Sequence, residues 1–342
     1  MKKYLTMVMI GLLSIGMMTG CGAKEEAEAK PPVSQNEPAD KQAEALTLEF
    51  VQTSRHDDSV NRFSMTYDKK PEAALAVTNG MIEMLLSLGL EDKMAGTSYA
   101  ENNVLDSLNE AYQKVPVLSD TYPSKEQILA SKVDFIIGWG GDFNDKGVGS
   151  VDWLNEKDIK AYIPRSVEAD ATVDSIYEDF TNLGIIFGVE DKAAEVNAKI
   201  KDQLASVNEK ISSVDKKLRV MGYDSSANGA VVIGKGINNE IIKLAQGENV
   251  FGDQEKAYPE VSWEEIVKRN PEVMIVLEYS VNTGGQTFEE KVKALKENPA
   301  LKEVDAVKND RFVKLDLAEL YPGERTSITV EKLAKAFYPE LF

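Results

Sequence analysis

From Leu46 onward, short apolar runs alternate with stretches of helical periodicity. Buried-strand patterns occur at 73–77, 133–138 and 160–163. Between the first two, apolar residues at 81, 82, 84, 85, 86 and 88 predict a helix, and Gly89 stands just past its end, where a left-handed stop favours glycine. Thr172 to Phe187 reads as another helix, closed by Gly188. Lys192 to Ser212 contains no Pro or Gly and carries Val196, Ile200, Leu204, Val207 and Ile211 at steps of three and four, which predicts a long amphipathic helix. At 1.5 Å per residue it spans roughly 30 Å, about a domain diameter. The strand–helix alternation then restarts. Strands are expected at 218–223, 230–233, 273–278 and 311–315, with helices at 237–246 and 328–338. The pattern predicts an α/β fold of two lobes with largely parallel sheets, residues 46–188 and 216–342, joined by one long helix over 189–215.

The start of the chain differs from this. Lys2 and Lys3 precede an apolar run from Leu5 to Met18. A spanning helix needs about 20 apolar residues, so the run reads as the core of a signal peptide over 1–20. Met18-Thr19-Gly20-Cys21 resembles a bacterial lipoprotein cleavage site, with Met18 where Leu is usual. Cleavage there makes Cys21 the first residue, its thiol carrying diacylglycerol (palmitate among the acyl groups), and two acyl chains anchor stably. The alternative is an ordinary secretory signal. Residues 22–45 are rich in Ala, Glu, Lys and Pro and lack aromatics, a tether that with Cys21 spans 21–45 and reaches roughly 25–30 Å. The expected location is the outer face of the cytoplasmic membrane, anchored through Cys21.

Composition narrows the function. At 342 residues, two domains are the default expectation. Against 39 Lys and Arg stand 57 Asp and Glu, a net charge of −18, which argues against nucleic acid and anionic lipid as partners. One Cys excludes an internal disulfide. One His, His56 in a His-Asp-Asp run that reads as a solvated loop, excludes a multi-His metal site and leaves a single imidazole for acid–base work. No bound metal and no cofactor of the protein's own is expected. Gly229-x4-Gly234-Lys235-Gly236 lacks the Ser or Thr of a phosphate loop, and the residues between its first two glycines read as a strand, so nucleotide binding is not expected.

Each lobe holds one copy of a short pattern. Ser124-Lys125-Glu126-Gln127-Ile128 is followed by Asp134, and Ser262-Trp263-Glu264-Glu265-Ile266 by Glu272, in both cases eight residues after the central Glu. Both fit a capping box, with Gln127 or Glu265 reaching back. Glu126 and Glu264 then sit on the exposed first turn, where the helix dipole favours negative charge. They are either good helix starts and nothing more, or two acidic knobs for docking on basic residues of a two-fold partner.

Residues 71–138 and 216–315 resemble the binding proteins of ABC importers for iron-siderophores, haem and vitamin B12. The matching pieces are Met81 to Leu90, Gly234-Lys235-Gly236, Gly247 to Phe251 and the two Ser-x-Glu motifs, and the resemblance covers most of 46–342. It implies two lobes rigidly joined by one helix, a ligand in the cleft between them, and one Glu per lobe paired with Arg on a permease dimer. By motif position these are Glu126 and Glu264.

Ligands of open α/β sheets bind beyond the carboxyl ends of strands. The loops expected there offer Tyr99, Tyr122, Trp139 and Arg165 in the first lobe, and Tyr223, Tyr258, Tyr279, Tyr321 and Arg325 in the second. Rings supply apolar area at little rotamer entropy, and Arg pairs with carboxylate or phosphate. Trp139, among Gly138, Gly140 and Gly141, is the leading candidate; Arg325 pairs either with ligand or with a nearby carboxylate. The expected function is a monomeric, lipid-anchored solute-binding protein, not an enzyme, that delivers a metal complex to its permease. A ferric siderophore ranks first, with haem or cobalamin as alternatives. Readings of another class are a surface hydrolase, which lacks a Gly-x-Ser-x-Gly elbow, and an adhesin that kept the fold.

Overall fold

The computed structural model describes residues 45–53, 60–226, 229–279 and 285–342, all within one compact unit. The signal segment, Cys21, the tether up to residue 44 and the His56-Asp57-Asp58 run lie outside the described residues.

A hairpin of β1 (Leu46–Thr53) and β2 (Val60–Tyr67) comes first. A five-stranded parallel sheet follows, made of β3 (Ala74–Val77), β4 (Met94–Ser98), β5 (Val117–Ser119), β6 (Phe135–Ile137) and β7 (Lys160–Tyr162), in the order β5-β4-β3-β6-β7. The second sheet holds β8 (Leu218–Ser226), β9 (Ala230–Val232), β10 (Gly247–Asn249), β11 (Glu260–Val261), β12 (Val273–Glu278) and β13 (Phe312–Asp316). Its order is β11-β9-β8-β12-β13, with β10 also on β8. Here β8, β10, β12 and β13 run parallel, while β9 and β11 are antiparallel to their neighbours. The sheet is therefore mixed.

Both sheets reverse winding direction beside their first strand. The chain leaves β3 toward β4 and β5 on one side, then crosses to β6 and β7 on the other. In the second sheet, β8 stands between β9 and β12. Such reversals leave a crevice beyond the strand ends, since the two following connections diverge.

The helix between the sheets runs from Glu190 to Ile211, with Ala193, Val196, Ile200, Val207 and Ile211 buried and Leu204 partly so. It packs on the Val173–Phe187 helix and on the final helix, Arg325–Phe337. A Cβ at Gly184 would stand 2.7 Å from that of Ala193, so glycine is what lets the first of these contacts close. Lys199 Nζ meets Glu324 at 2.6 Å, and the Ser327 hydroxyl donates to Gln203 Oε1 at 2.9 Å, tying the rod to the final helix.

The repeated pattern after each Ser-x-Glu has a structural use. Asp134, just ahead of β6, accepts from the backbone N–H groups of Glu72 and Ala73 at 2.9 and 3.0 Å, where the chain enters β3. Glu272, just ahead of β12, accepts from the Arg219 N–H at 3.0 Å in β8. In each lobe one carboxylate therefore pins the start of the first strand to the strand that follows the reversal.

Candidate functional site

The crevice residues are built from the two reversals upward. In the first lobe, Thr78 follows β3 and Trp139 follows β6. The Trp139 Nε1–H donates to Thr78 Oγ1 at 3.1 Å, across the reversal. Thr78 has φ +72° and Tyr99, after β4, has φ +54°, conformations that cost a β-branched or bulky residue free energy and that cluster at working sites. Tyr99 stacks on Tyr122 with ring centroids 5.0 Å apart. The Tyr122 hydroxyl donates to buried Asp142 at 2.7 Å, and Asp142 also accepts from the Trp139 N–H at 2.8 Å. One buried carboxylate thus orients two of the candidate rings.

The second lobe repeats the arrangement with other residues. Tyr279 follows β12, and its hydroxyl donates to Asp224 in β8, again across the reversal. Asp224 is buried and also accepts from the Ser225 hydroxyl at 3.0 Å. Behind Tyr279 lies Lys291, 2% exposed, with Nζ 4.8 Å from the ring centroid. Its ammonium donates to the carbonyls of Asp224 and Leu277. Tyr258 keeps 38% of its surface open, and its hydroxyl accepts from Asn238 Nδ2 at 2.7 Å.

The lobes meet through Tyr321. Its ring stands edge-on to Trp139, centroids 5.9 Å apart, and its hydroxyl donates to Glu101 of the first lobe. A Cβ at Gly80 would lie 3.0 Å from the Tyr321 Cβ, so glycine in the first turn of the Asn79–Ser87 helix makes room for this approach. Burial and neighbouring carboxylates push the Tyr279 and Tyr321 hydroxyls well above the ordinary phenol range, and burial at the hydroxyl end, with the nearby Asp224 charge, does the same for Tyr258 although part of its ring is open. All three stay protonated donors across the physiological range. Tyr258, Tyr279 and Tyr321 act electrostatically on one another, and Glu101 reaches both Tyr279 and Tyr321.

Three candidates have other work. Tyr223 is 2% exposed and packs inside the second lobe, because its position on β8 faces the core beside Met221 and Phe251; it presents no ring to a ligand. Arg325 forms a two-pronged pair with Glu83 at 2.7 and 2.6 Å and donates to the Asn103 carbonyl at 2.7 Å, so it bridges the lobes. Arg165 pairs with Glu168 at 3.0 Å and Asp170 at 2.8 Å.

Asp179 holds the turn that carries Arg165. It accepts from the backbone N–H groups of Arg165 and Ser166 at 2.7 and 2.9 Å and from the Tyr162 hydroxyl at 3.0 Å. Burial outweighs these bonds and pushes its carboxyl from 3.8 up to about 6. A raised folded-state value stabilises the fold fully below the unfolded value and loses that contribution as pH rises through the folded one. Asp179 is therefore expected to add up to about 3 kcal/mol near pH 4, lost by pH 7. Thermal unfolding of Asp179→Asn from pH 4 to 8 should lack this segment of the pH curve, whatever its overall loss. A curve parallel to that of the unaltered chain would refute the assignment.

Glu126 and Glu264 are both exposed, each second in its helix, after N-caps Ser124 and Ser262. Around Ser124 the capping box is complete, with reciprocal bonds of 2.8 and 3.2 Å. Around Ser262 it is half made. Ser262 accepts from the Glu265 N–H at 3.2 Å, but the Glu265 side chain turns to Arg269 at 2.8 Å, an ion pair stronger than a bond to one amide. Hydrogen bonds from its own amide and from Ser124 hold the Glu126 carboxyl below the usual range.

The sequence reading missed Thr78, Glu83, Glu101, Asp142, Asp224 and Lys291. Two had a visible signal: Glu83 interrupts the apolar run Met81-Ile82-Glu83-Met84, and Lys291 falls on the apolar face of Phe288, Val292 and Leu295. A charge on a buried stripe implies a partner.

Two sheets with paired winding reversals, a rod between them and rings bridging the gap define a two-lobed solute-binding protein. The family of periplasmic binding proteins matches residues 75–318, and the chain belongs to that family. A solved periplasmic binding protein from Veillonella parvula dsm 2008 is 31% identical, covers 86% of this chain and 99% of its own, and superposes with a TM-score of 0.77. The uncharacterized ABC transporter substrate-binding lipoprotein YvrC of Bacillus subtilis (strain 168) is 25% identical over 100% of this chain and 99% of its own length. The vitamin B12-binding protein of Vibrio vulnificus (strain CMCP6) is 24% identical over 80% of this chain and 93% of its own. The chain is the solute-binding component of an ABC transporter, with a small molecule and an ABC permease as its partners, and it is not an enzyme.

Proposed function

We propose that this chain captures a metal chelate in the gap between its lobes, a ferric siderophore in first place, and hands it to a permease dimer while held at the membrane by lipid on Cys21. The observation that carries this reading is the ring system at the two winding reversals: Trp139 against Tyr321 across the gap, with Tyr99 stacked on Tyr122 to one side. Such a surface offers apolar area at low entropic cost, together with hydroxyl and indole N–H groups for orientation, which suits a large amphipathic complex. Glu126 and Glu264, exposed at matching helix positions, are the docking carboxylates of this reading. A corrinoid is the second reading, favoured by the vitamin B12-binding proteins among the relatives.

Trp139 reports directly on the gap. Titration with ferric siderophores, cobalamins and haem should quench tryptophan emission saturably for one class, and Trp139→Phe should remove most of that signal although Trp153 and Trp263 remain. No response to any chelate, and no chromophore retained by protein purified from its host, would defeat the reading.

A further inference from the structure

We propose that this gap selects its ligand by charge, taking neutral or cationic chelates that present N–H donors and rejecting those with free carboxylates or catecholate charge. The inference rests on the chelate-binding function proposed above. It follows from which charged groups around the gap are already engaged.

Four cations around the gap are already engaged among the described residues. Arg325 is clamped by Glu83, and Arg165 by Glu168 and Asp170. Lys235 pairs with Glu255 at 3.1 Å. Lys291 is sealed behind the Tyr279 ring, its ammonium spent on two carbonyls. An anionic ligand would have to break one of these contacts to gain a counter-charge from any of the four.

Carboxylates, by contrast, line the gap with hydroxyls as their hydrogen-bond donors among the described residues. Glu101 is met by the Tyr321 hydroxyl, and Asp224 by the hydroxyls of Tyr279 and Ser225. Neither forms an ion pair closer than 4 Å among the described residues. Asn238, 8% exposed and bonded through Nδ2 to Tyr258, has its Oδ1 without a partner among the described residues. A buried acceptor in that position calls for a donor from outside the fold, since leaving it bare costs free energy. Acceptors of this kind, with ring faces that attract positive charge, match amide or ammonium groups on the ligand. They repel carboxylates, and a single like charge within the gap lowers affinity about tenfold or more.

The test uses the full chain and five probes of known charge: ferrioxamine B (cationic), ferrichrome and cyanocobalamin (neutral), and haemin and ferric enterobactin (anionic). Affinities are read from tryptophan quenching. The cationic or neutral probes should bind at least about tenfold tighter than either anion. Glu101→Gln keeps an acceptor for Tyr321 and removes only the charge, so it should shift the anion-to-cation affinity ratio about tenfold toward the anions. Asp224→Asn is the second variant, with a shift in the same direction. Ferrichrome against cyanocobalamin separates the siderophore from the corrinoid reading. An anion that binds as tightly as the best neutral probe, or a ratio unmoved in both variants, overturns charge selection and leaves chelate binding standing. Silence from all five probes defeats the chelate reading and this inference together.

Discussion

Reversing both exposed helix-start carboxylates, Glu126→Arg together with Glu264→Arg, is expected to cut uptake of the ligand to background while the purified protein still binds it. The reason is location. Both side chains are exposed on the first turn of a capped helix, and neither touches the ring system of the gap. Exposed substitutions of this kind usually change stability by less than about 0.5 kcal/mol. Placing a cation at the positive end of a helix adds about 0.3–1 kcal/mol each, well short of unfolding. At a docking surface the same change turns attraction into repulsion. Close charge pairs between proteins couple by about 1.5–7 kcal/mol, so two reversals should lower affinity for the permease by more than about a hundredfold. Single reversals should fall between. Uptake by cells carrying the double variant, measured beside binding by the purified protein, decides the matter. Undiminished uptake would remove both residues from the docking surface.

The largest loss of stability is expected from Arg325→Ala. Glu83 is 5% exposed and sits in the wholly buried Asn79–Ser87 helix. Burial already raises its carboxyl above the usual range, and Arg325 is the chief influence holding it down. Removing one partner of such a pair leaves an uncompensated buried charge, which typically costs about 3–5 kcal/mol. At about 2–4 °C per kcal/mol, melting should fall by about 6–20 °C. The sign of the pH effect follows from the raised value. Without Arg325 the Glu83 carboxyl rises further, so the variant gains stability as pH falls and its deficit narrows from pH 8 to pH 5.5. Replacing both groups together, Glu83→Gln with Arg325→Met, should restore part of the loss. A deficit that is small, or that does not depend on pH, would show the pair to be dispensable.

The sequence disclosed the elements whose burial is one-sided or complete. The strand at Val273–Glu278 was legible to the residue, because the unbroken apolar run Val273–Leu277, bounded by Glu272 and Glu278, has the length of a buried strand. The rod was legible through its stripe, and Gly188 adopts the left-handed stop expected of it, with φ +69°. Elements without apolar contrast were lost. The hairpin of β1 and β2 shows many exposed positions, β4 is built of Met, Ala, Gly, Thr and Ser, and β10 is Gly-Glu-Asn. The hairpin pairs only with itself, while β4 is held by β3 and β5, and β10 by β8, across intervening helices. The site was legible where rings follow buried strands, as Trp139 and Tyr279 do. It was illegible where a residue's worth depends on what crosses the gap. Glu101 matters because Tyr321 arrives from 220 residues away, and Arg325 looked available because Glu83 lies 242 residues before it.

A helix of 22 residues without glycine or proline has its amides committed to the turn before, and side chains on two flanking helices grip it. It offers no soft torsion at which the halves can swing apart. On the reading proposed above, cargo enters by yielding side chains rather than by a bending spine. The work of letting it in falls on a few rotamers, chiefly the indole and phenol that lean on each other at the mouth.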